Sequence, residues 1–223
     1  MFDRVYLINL EHRTDRLQTF RKRQRDKGWA LPDPIIFKAV DGYKVPMPKT
    51  FLTGDQEIDG GGWGCLLSHC AILKDCIKNN VETALILEDD VCWRKDAWTK
   101  LNTFMNKVPK DWDQLMVGGQ HFVLPLKVNP SVKKVIHAER THAYAINKSV
   151  MKSLLNLWEN SKAHIDWVLG MKWQKNHNVY CPSKFIFGQY GGVSDINGDL
   201  WLGNYWNKFY PSLINISNNR KVA

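Results

Sequence analysis

The 223-residue chain has no apolar run of about 18 residues, the length that a membrane-crossing helix needs. Its N-terminus, Met-Phe-Asp-Arg-Val-Tyr-Leu-Ile-Asn-Leu, turns polar within ten residues, too soon for a signal-peptide core. No transmembrane segment is expected. Cysteine is scarce: Cys65, Cys70, Cys76, Cys92 and Cys181 form an odd set with no Cys-x-x-Cys pair, which suggests neither a disulfide framework nor a thiolate zinc site. A reducing, cytoplasmic setting is expected. Repeats, low-complexity tracts and Ser/Gly-rich linkers are also missing, which argues against a solenoid or a string of modules and for one compact unit.

What is present is core material, 44% hydrophobic residues, and an excess of positive charge, 31 Lys plus Arg against 22 Asp plus Glu, a formal +9. Such an excess favours an anionic partner, with nucleotide, nucleic acid and anionic lipid surface all open. The charge is uneven: residues 1–50 carry 11 basic and 6 acidic side chains, residues 51–110 carry 7 and 9, and residues 171–223 carry 6 and 2. An acidic middle lies between basic ends.

The β-rich run Val5 to Ile8 predicts a strand, and the polar stretch from Thr14 to Lys27 a helix. Ile35 to Phe37 reads as a second strand ending at the turn signal Val40-Asp41-Gly42. Gly60-Gly61-Gly62-Trp63-Gly64 reads as a Gly-rich loop leading into a helix from Leu66 to Ile77. Ala84-Leu85-Ile86-Leu87, uninterrupted and apolar, predicts a central strand covered on both faces. Leu115 to Val117 and His142 to Ile146 add strands, and Lys148 to Trp158 a helix. Strands alternating with helices predict an α/β domain with a mixed, mainly parallel sheet whose ligands bind at the carboxyl ends of the strands. From Tyr190 on, irregular, surface-wrapping structure is expected.

The central strand stops at Glu88-Asp89-Asp90. Three adjacent acids repel one another unless a cation, donors or water compensate them. Alternate residues of an extended chain point the same way, so Glu88 and Asp90 can face one ligand while Asp89 turns aside. Oxygen donors of this kind suit Mg²⁺ or Mn²⁺ bridging to a diphosphate; the plain alternative is a solvated acidic turn. Near the first strand, Arg13 and Arg16 flank a helix start, where guanidinium forks and helix amides suit phosphate; a capped, charged helix is the alternative.

Taken together and in order, Val5-Tyr6-Leu7-Ile8-Asn9-Leu10 with Arg13, Asp15 and Arg16, then Val40-Asp41-Gly42, Gly64-Cys65-Leu66-Leu67-Ser68-His69, Leu87-Glu88-Asp89-Asp90, Thr141-His142-Ala143-Tyr144-Ala145-Ile146, His164-Ile165-Asp166, Gln189 and Ser194-Asp195-Ile196 resemble glycosyltransferase family 25, the group of lipooligosaccharide and collagen galactosyltransferases. The resemblance implies a single Rossmann-like GT-A domain over residues 1–196, with residues 197–223 an aromatic and basic extension packed on it. It implies a metal-dependent, inverting transfer of a hexose, galactose or glucose, from a UDP-sugar to an acceptor hydroxyl. On that resemblance, Asp90 would be the metal ligand, Glu88 would share the ion, and Glu88 or Asp89 would touch ribose or donor sugar. Asn9, Arg13, Arg16 and Asp41 would line the nucleotide pocket, Gly64, Ser68 and His69 would lie close to the donor, and Thr141 and His142 would flank donor sugar or acceptor. Gln189 or Asp195 would supply a late ligand to metal or diphosphate.

Asp166 is the expected general base, placed where a helix N-terminus would keep it ionised; an ordinary N-cap is the alternative reading. Ser68-His69 is not expected to be a hydrolase dyad, because neighbours on a helix do not face one another. His69 is equally readable as a satisfied helix histidine. Among ten tryptophans, Trp63 is expected to stack on sugar or base, and Trp201, Tyr205, Trp206, Phe209 and Tyr210 to pack as a tail over the core or form an acceptor platform. The basic excess points to an anionic acceptor, a phosphorylated glycolipid or glycan, or DNA bearing a hydroxylated base. A non-catalytic nucleotide or nucleic-acid binding module is the alternative of another class.

Overall fold

The computed structural model describes residues 1–48, 51, 60–161, 163–193, 195 and 200–201. In chain order these form β1 (Arg4–Asn9), α1 (Thr14–Lys27), β2 (Ile35–Lys38), α2 (Gly60–Lys78), β3 (Thr83–Glu88), β4 (Val91–Trp93), α3 (Ala97–Lys107), β5 (Gln114–Met116), β6 (Gln120–Val123), β7 (Leu126–Asn129), β8 (Val132–Lys134), β9 (His137–Glu139), β10 (Ala143–Asn147), α4 (Lys148–Glu159), α5 (Ile165–Val168), β11 (Val179–Pro182), β12 (Phe187–Gln189), β13 (Gly192–Val193) and β14 (Leu200–Trp201). The expectation for residues 197–223 lies outside the described residues, save for the two-residue strand β14.

One eight-stranded sheet has the order β2-β1-β3-β10-β5-β11-β8-β7. β1 pairs parallel with β2 and β3, and β11 with β5, while β10 runs antiparallel between β3 and β5 and β8 runs antiparallel to β11 and β7. Six of the eight strands therefore point one way, as the α/β, mainly parallel GT-A expectation requires. β3 shows why its run is uninterrupted. Ala84 and Ile86 face the layer formed with α2 and α4, whereas Leu85 and Leu87 face the layer holding Phe20 of α1 and Leu101 and Phe104 of α3. Both sheet faces are covered, so both side-chain sets must be apolar.

Two features of this frame position the site. Antiparallel β10 begins where β3 ends: Ala143 is paired with Leu87, and the Glu88 amide donates to the His142 carbonyl at 3.0 Å. The second is a correction: the glycines at 60–64 are not a loop but the first turns of α2. The Val40-Asp41-Gly42 turn presses directly on them. A Cβ on Gly42 would lie 1.8 Å from the Gly60 carbonyl, and one on Gly64 2.4 Å from the Val40 carbonyl. Only glycine admits backbone at that distance. Chain packing overrides the usual helix aversion of glycine.

Candidate functional site

At the carboxyl ends of β1 and β3 the surface opens into a cleft with two lobes, each about 350 Å³. The first is walled by the 39–43 turn, the start of α2 and the loop after β1. The second is walled by β9, the start of β10 and α5. Arg16, Cys65, Glu88, Asp90 and Gln189 line both, so the acidic motif stands where the lobes meet.

Glu88 and Asp90 are half-buried there, and Asp89, in the turn that follows β3, is buried and turned aside as expected. Asp89 accepts from Asn9 Nδ2 at 2.7 Å and from Arg16 at 3.0 Å, so its carboxylate is committed within the protein. Burial pushes its pKa upward against the pull of Arg16 and Asn9. Glu88 Oε1 accepts from the Thr141 hydroxyl at 2.8 Å and lies 3.5 Å from His69 Nε2. Burial would raise Glu88, but His69 and Thr141 outweigh it and hold the group below its ordinary range. Asp90 is pushed up to about 7, by burial first and then by Glu88 and Asp89. Its Oδ2 accepts from Gln189 Nε2 at 2.8 Å, while its Oδ1 is buried without a partner. Two close carboxylates cannot both ionise cheaply without a counter-charge, so one keeps a proton. That orphaned oxygen and the carboxylate of Glu88 are hard donors that fit Mg²⁺ or Mn²⁺.

Asp166 lines the second lobe. It is not an N-cap: His164 precedes the helix, and Asp166 Oδ1 accepts from its neighbour's amide, Trp167, at 2.8 Å. Its Oδ2 accepts from the Arg140 amide at 3.3 Å. The expected helix-end depression of its pKa does not win, because burial and then Glu139 displace it upward.

The remaining expected residues divide. Arg16 reaches both lobes, holding Asp89 and donating to the Val193 carbonyl at 2.6 Å, and Asp41 lines the first lobe while capping its own turn and pairing with Lys44 at 2.9 Å. Asn9 and Arg13 line neither lobe, Asn9 tying Asp89 to the Arg13 carbonyl. Gly64 and Ser68 serve the close approach of α2, since the Ser68 hydroxyl donates to the Gly64 carbonyl at 2.6 Å and accepts from the Val40 amide at 2.8 Å. His69 diverges from Ser68, with Nδ1 2.9 Å from the Tyr144 hydroxyl, so no serine–histidine dyad exists.

Three expectations need correction. Asp195 lines the first lobe, but its carboxylate is paired with the guanidinium groups of Arg13 and Arg16 rather than turned to Glu88 and Asp90. His142 is fully buried and lines neither lobe; burial lowers it to about 4, so it is neutral core. Trp63 packs edge-to-face on Phe51 and donates to the Pro46 carbonyl, so Tyr43, Phe122 and Tyr190 supply the rings of the cleft instead.

Arg140 was missed by sequence reasoning. It is one of two non-glycine residues with positive φ (71°) among the described residues, a strained conformation that packing must hold. Its Nε donates to Gln120 at 2.9 Å and its Nη1 to Gln189 Oε1 at 3.0 Å, and Gln189 in turn grips Asp90. Through its own amide it also holds Asp166. One residue thus links the acid at the junction to the acid of the second lobe. The only signal in the sequence was its place beside Thr141.

Among the described residues no helix is long and apolar enough to cross a membrane. Procollagen galactosyltransferase 1-B of Xenopus laevis is 29% identical over 184 residues, covering 70% of this chain and 28% of that protein. The human inactive glycosyltransferase 25 family member 3 is 25% identical over 180 residues, covering 69% and 29%. The chain thus spans somewhat over a quarter of the length of these relatives. Among solved structures, A197 from STIV aligns with 93% of this chain and 97% of that one at 11% identity and a TM-score of 0.43. A family model described as Glycosyltransferase family 25 (LPS biosynthesis protein) matches residues 2–121, from β1 through the acidic motif into β6, and on that match over more than half its length the chain belongs to glycosyltransferase family 25.

Proposed function

We propose that this chain is an inverting, metal-dependent glycosyltransferase that moves a hexose from a UDP-sugar to a hydroxyl of a glycan or glycolipid acceptor. The observation that carries it is the junction. Glu88 and Asp90 stand between a lobe shaped by the β1 and α2 ends, the usual nucleotide side of such a sheet, and a lobe that presents Asp166. A donor held across the junction has its reacting carbon between the two lobes.

Glu88 and Asp90, with the Gln189 carboxamide nearby, would hold the divalent cation, which supplies positive charge for the departing diphosphate. The acceptor hydroxyl enters the second lobe and gives its proton to Asp166. Its oxygen then bonds to the anomeric carbon as the bond to the diphosphate breaks on the opposite face, which inverts configuration. A carboxylate displaced upward by burial is a stronger base than a solvated one, provided that it is ionised at the working pH. The two amides on Asp166 orient it for this role.

The acceptor lobe is lined by Glu139 and Asp166, and the guanidinium of Arg140 is engaged by Gln120 and Gln189. Such a lining suits a neutral, hydroxyl-rich sugar better than a phosphate, which favours a glycan over DNA as the group entering the lobe. The test is transfer from UDP-galactose and UDP-glucose to lipid oligosaccharide and to hydroxymethylated DNA, with Mn²⁺ or Mg²⁺. Transfer lost in Asp90→Asn supports the reading; UDP-sugar binding with no turnover on any acceptor would leave the binding module in its place.

A further inference from the structure

The floor of the cleft carries a second donor set of different chemistry. Cys65 and His69 are four residues apart on α2 and share one face of it. Cys65 Sγ, a ring nitrogen of His69 and a carboxylate oxygen of Glu88 lie within 4.8 Å of one another, and among the described residues this is the one such cluster of three. The nitrogen in question is Nε2, because Nδ1 is engaged by the Tyr144 hydroxyl at 2.9 Å. His69 is fully buried, and its Nε2 has no hydrogen-bond partner although it points at Glu88 Oε1, 3.5 Å away.

Ligands about 2.0–2.1 Å from a tetrahedral zinc ion stand roughly 3.3 Å from each other, so the nitrogen and oxygen are already near that spacing. The Tyr144 contact on the opposite nitrogen fixes the ring, as outer partners of metal-bound histidines do. Cys65 and Glu88 line both lobes, so a fourth position would face the cleft. Sulfur with nitrogen selects zinc or cobalt over magnesium or manganese. The sequence suggested no thiolate site because its pattern lacks paired cysteines; the third ligand comes from a strand.

We propose that Cys65, His69 and Glu88 form a three-ligand site for a thiophilic divalent cation of the zinc class, open to the cleft and sharing Glu88 with the oxygen donors at Asp90. Binding displaces the thiol proton to solvent and ties α2 to the end of β3. The inference is independent of the transferase reading. Co²⁺ titration of the metal-free full chain should give a near-ultraviolet thiolate-to-cobalt absorption band saturating at one ion per chain, displaced by Zn²⁺ and not by Mg²⁺. Cys65→Ser should abolish the band, and His69→Gln should weaken Co²⁺ binding by about tenfold or more. In the unsubstituted protein, Zn²⁺ but not Mg²⁺ should protect Cys65 from iodoacetamide, read by peptide mass; the other four cysteines are buried and give the internal reference. No band in the unsubstituted chain, a band surviving Cys65→Ser, or Cys65 labelling unchanged by Zn²⁺ would each overturn the site.

Discussion

Replacing Asp90 by asparagine should make the metal-free protein more stable above neutral pH while removing the proposed transfer activity. Asp90 is carried from an ordinary 3.8 to about 7 by burial and by Glu88 and Asp89. The folded state thus keeps a proton that the unfolded chain releases, so stability falls as pH rises from about 4 and the loss is complete once pH passes about 7. At about 1.36 kcal/mol per pH unit the full displacement corresponds to roughly 4 kcal/mol. Asp90 is half-buried and water reaches it from the cleft, so about 2–4 kcal/mol is the expected penalty. Asparagine imitates the protonated acid, and its Oδ1 can still accept from Gln189. Urea unfolding in the presence of a chelator should show the two proteins within about 0.5 kcal/mol near pH 4, and Asp90→Asn ahead by about 2–4 kcal/mol near pH 8. Equal stability at both pH values would refute the argument that partial burial and the charges of Glu88 and Asp89 raise Asp90.

Asp166→Asn should lower turnover by about 10²–10⁴-fold with donor affinity retained, measured by steady-state transfer and UDP-sugar titration; near-normal transfer would remove the base role. On the proposed mechanism, the acid limb of kcat for the unsubstituted protein should lie above the ordinary carboxylate value of 3.8, because burial and Glu139 raise Asp166 and the ionised form would be the active one. Arg140→Gly keeps the positive-φ backbone without strain and deletes the guanidinium. It should weaken Mn²⁺ affinity by about 10–100-fold through loss of the grip on Gln189, read by metal titration, with stability little changed. Gly64→Ala sets a Cβ 2.4 Å from the Val40 carbonyl and should cost about 1–3 kcal/mol, seen as a lowered Tm.

Much of the frame follows from local pattern. The helix expected over Thr14 to Lys27 has those bounds, and the strands at Val5 to Ile8 and Ala84 to Leu87 each gain only their end residues. An apolar run ending in three acids is legible because burial and charge change over a single step. Asp89 does turn away from Glu88 and Asp90, as strand alternation predicts, but the structure achieves it in the tight turn between β3 and β4.

The site's outer parts were not legible in the same way. Gln120 carries no local signal and Arg140 only its place beside Thr141, since their roles depend on β6 and β9 meeting beside β12. Asp195 looked like a ligand, but two arginines from the β1–α1 segment reach it first. His142 was expected to flank donor sugar or acceptor, yet it lies fully buried immediately before β10. By itself the sequence determined the order of elements, the acids at the end of β3 and the family, because each rests on neighbours along the chain. Only the tertiary structure decided which of those acids is free to bind a ligand, which histidine stands bare beside a thiol, and that the cleft has two lobes, because these depend on contacts made by residues far apart in sequence.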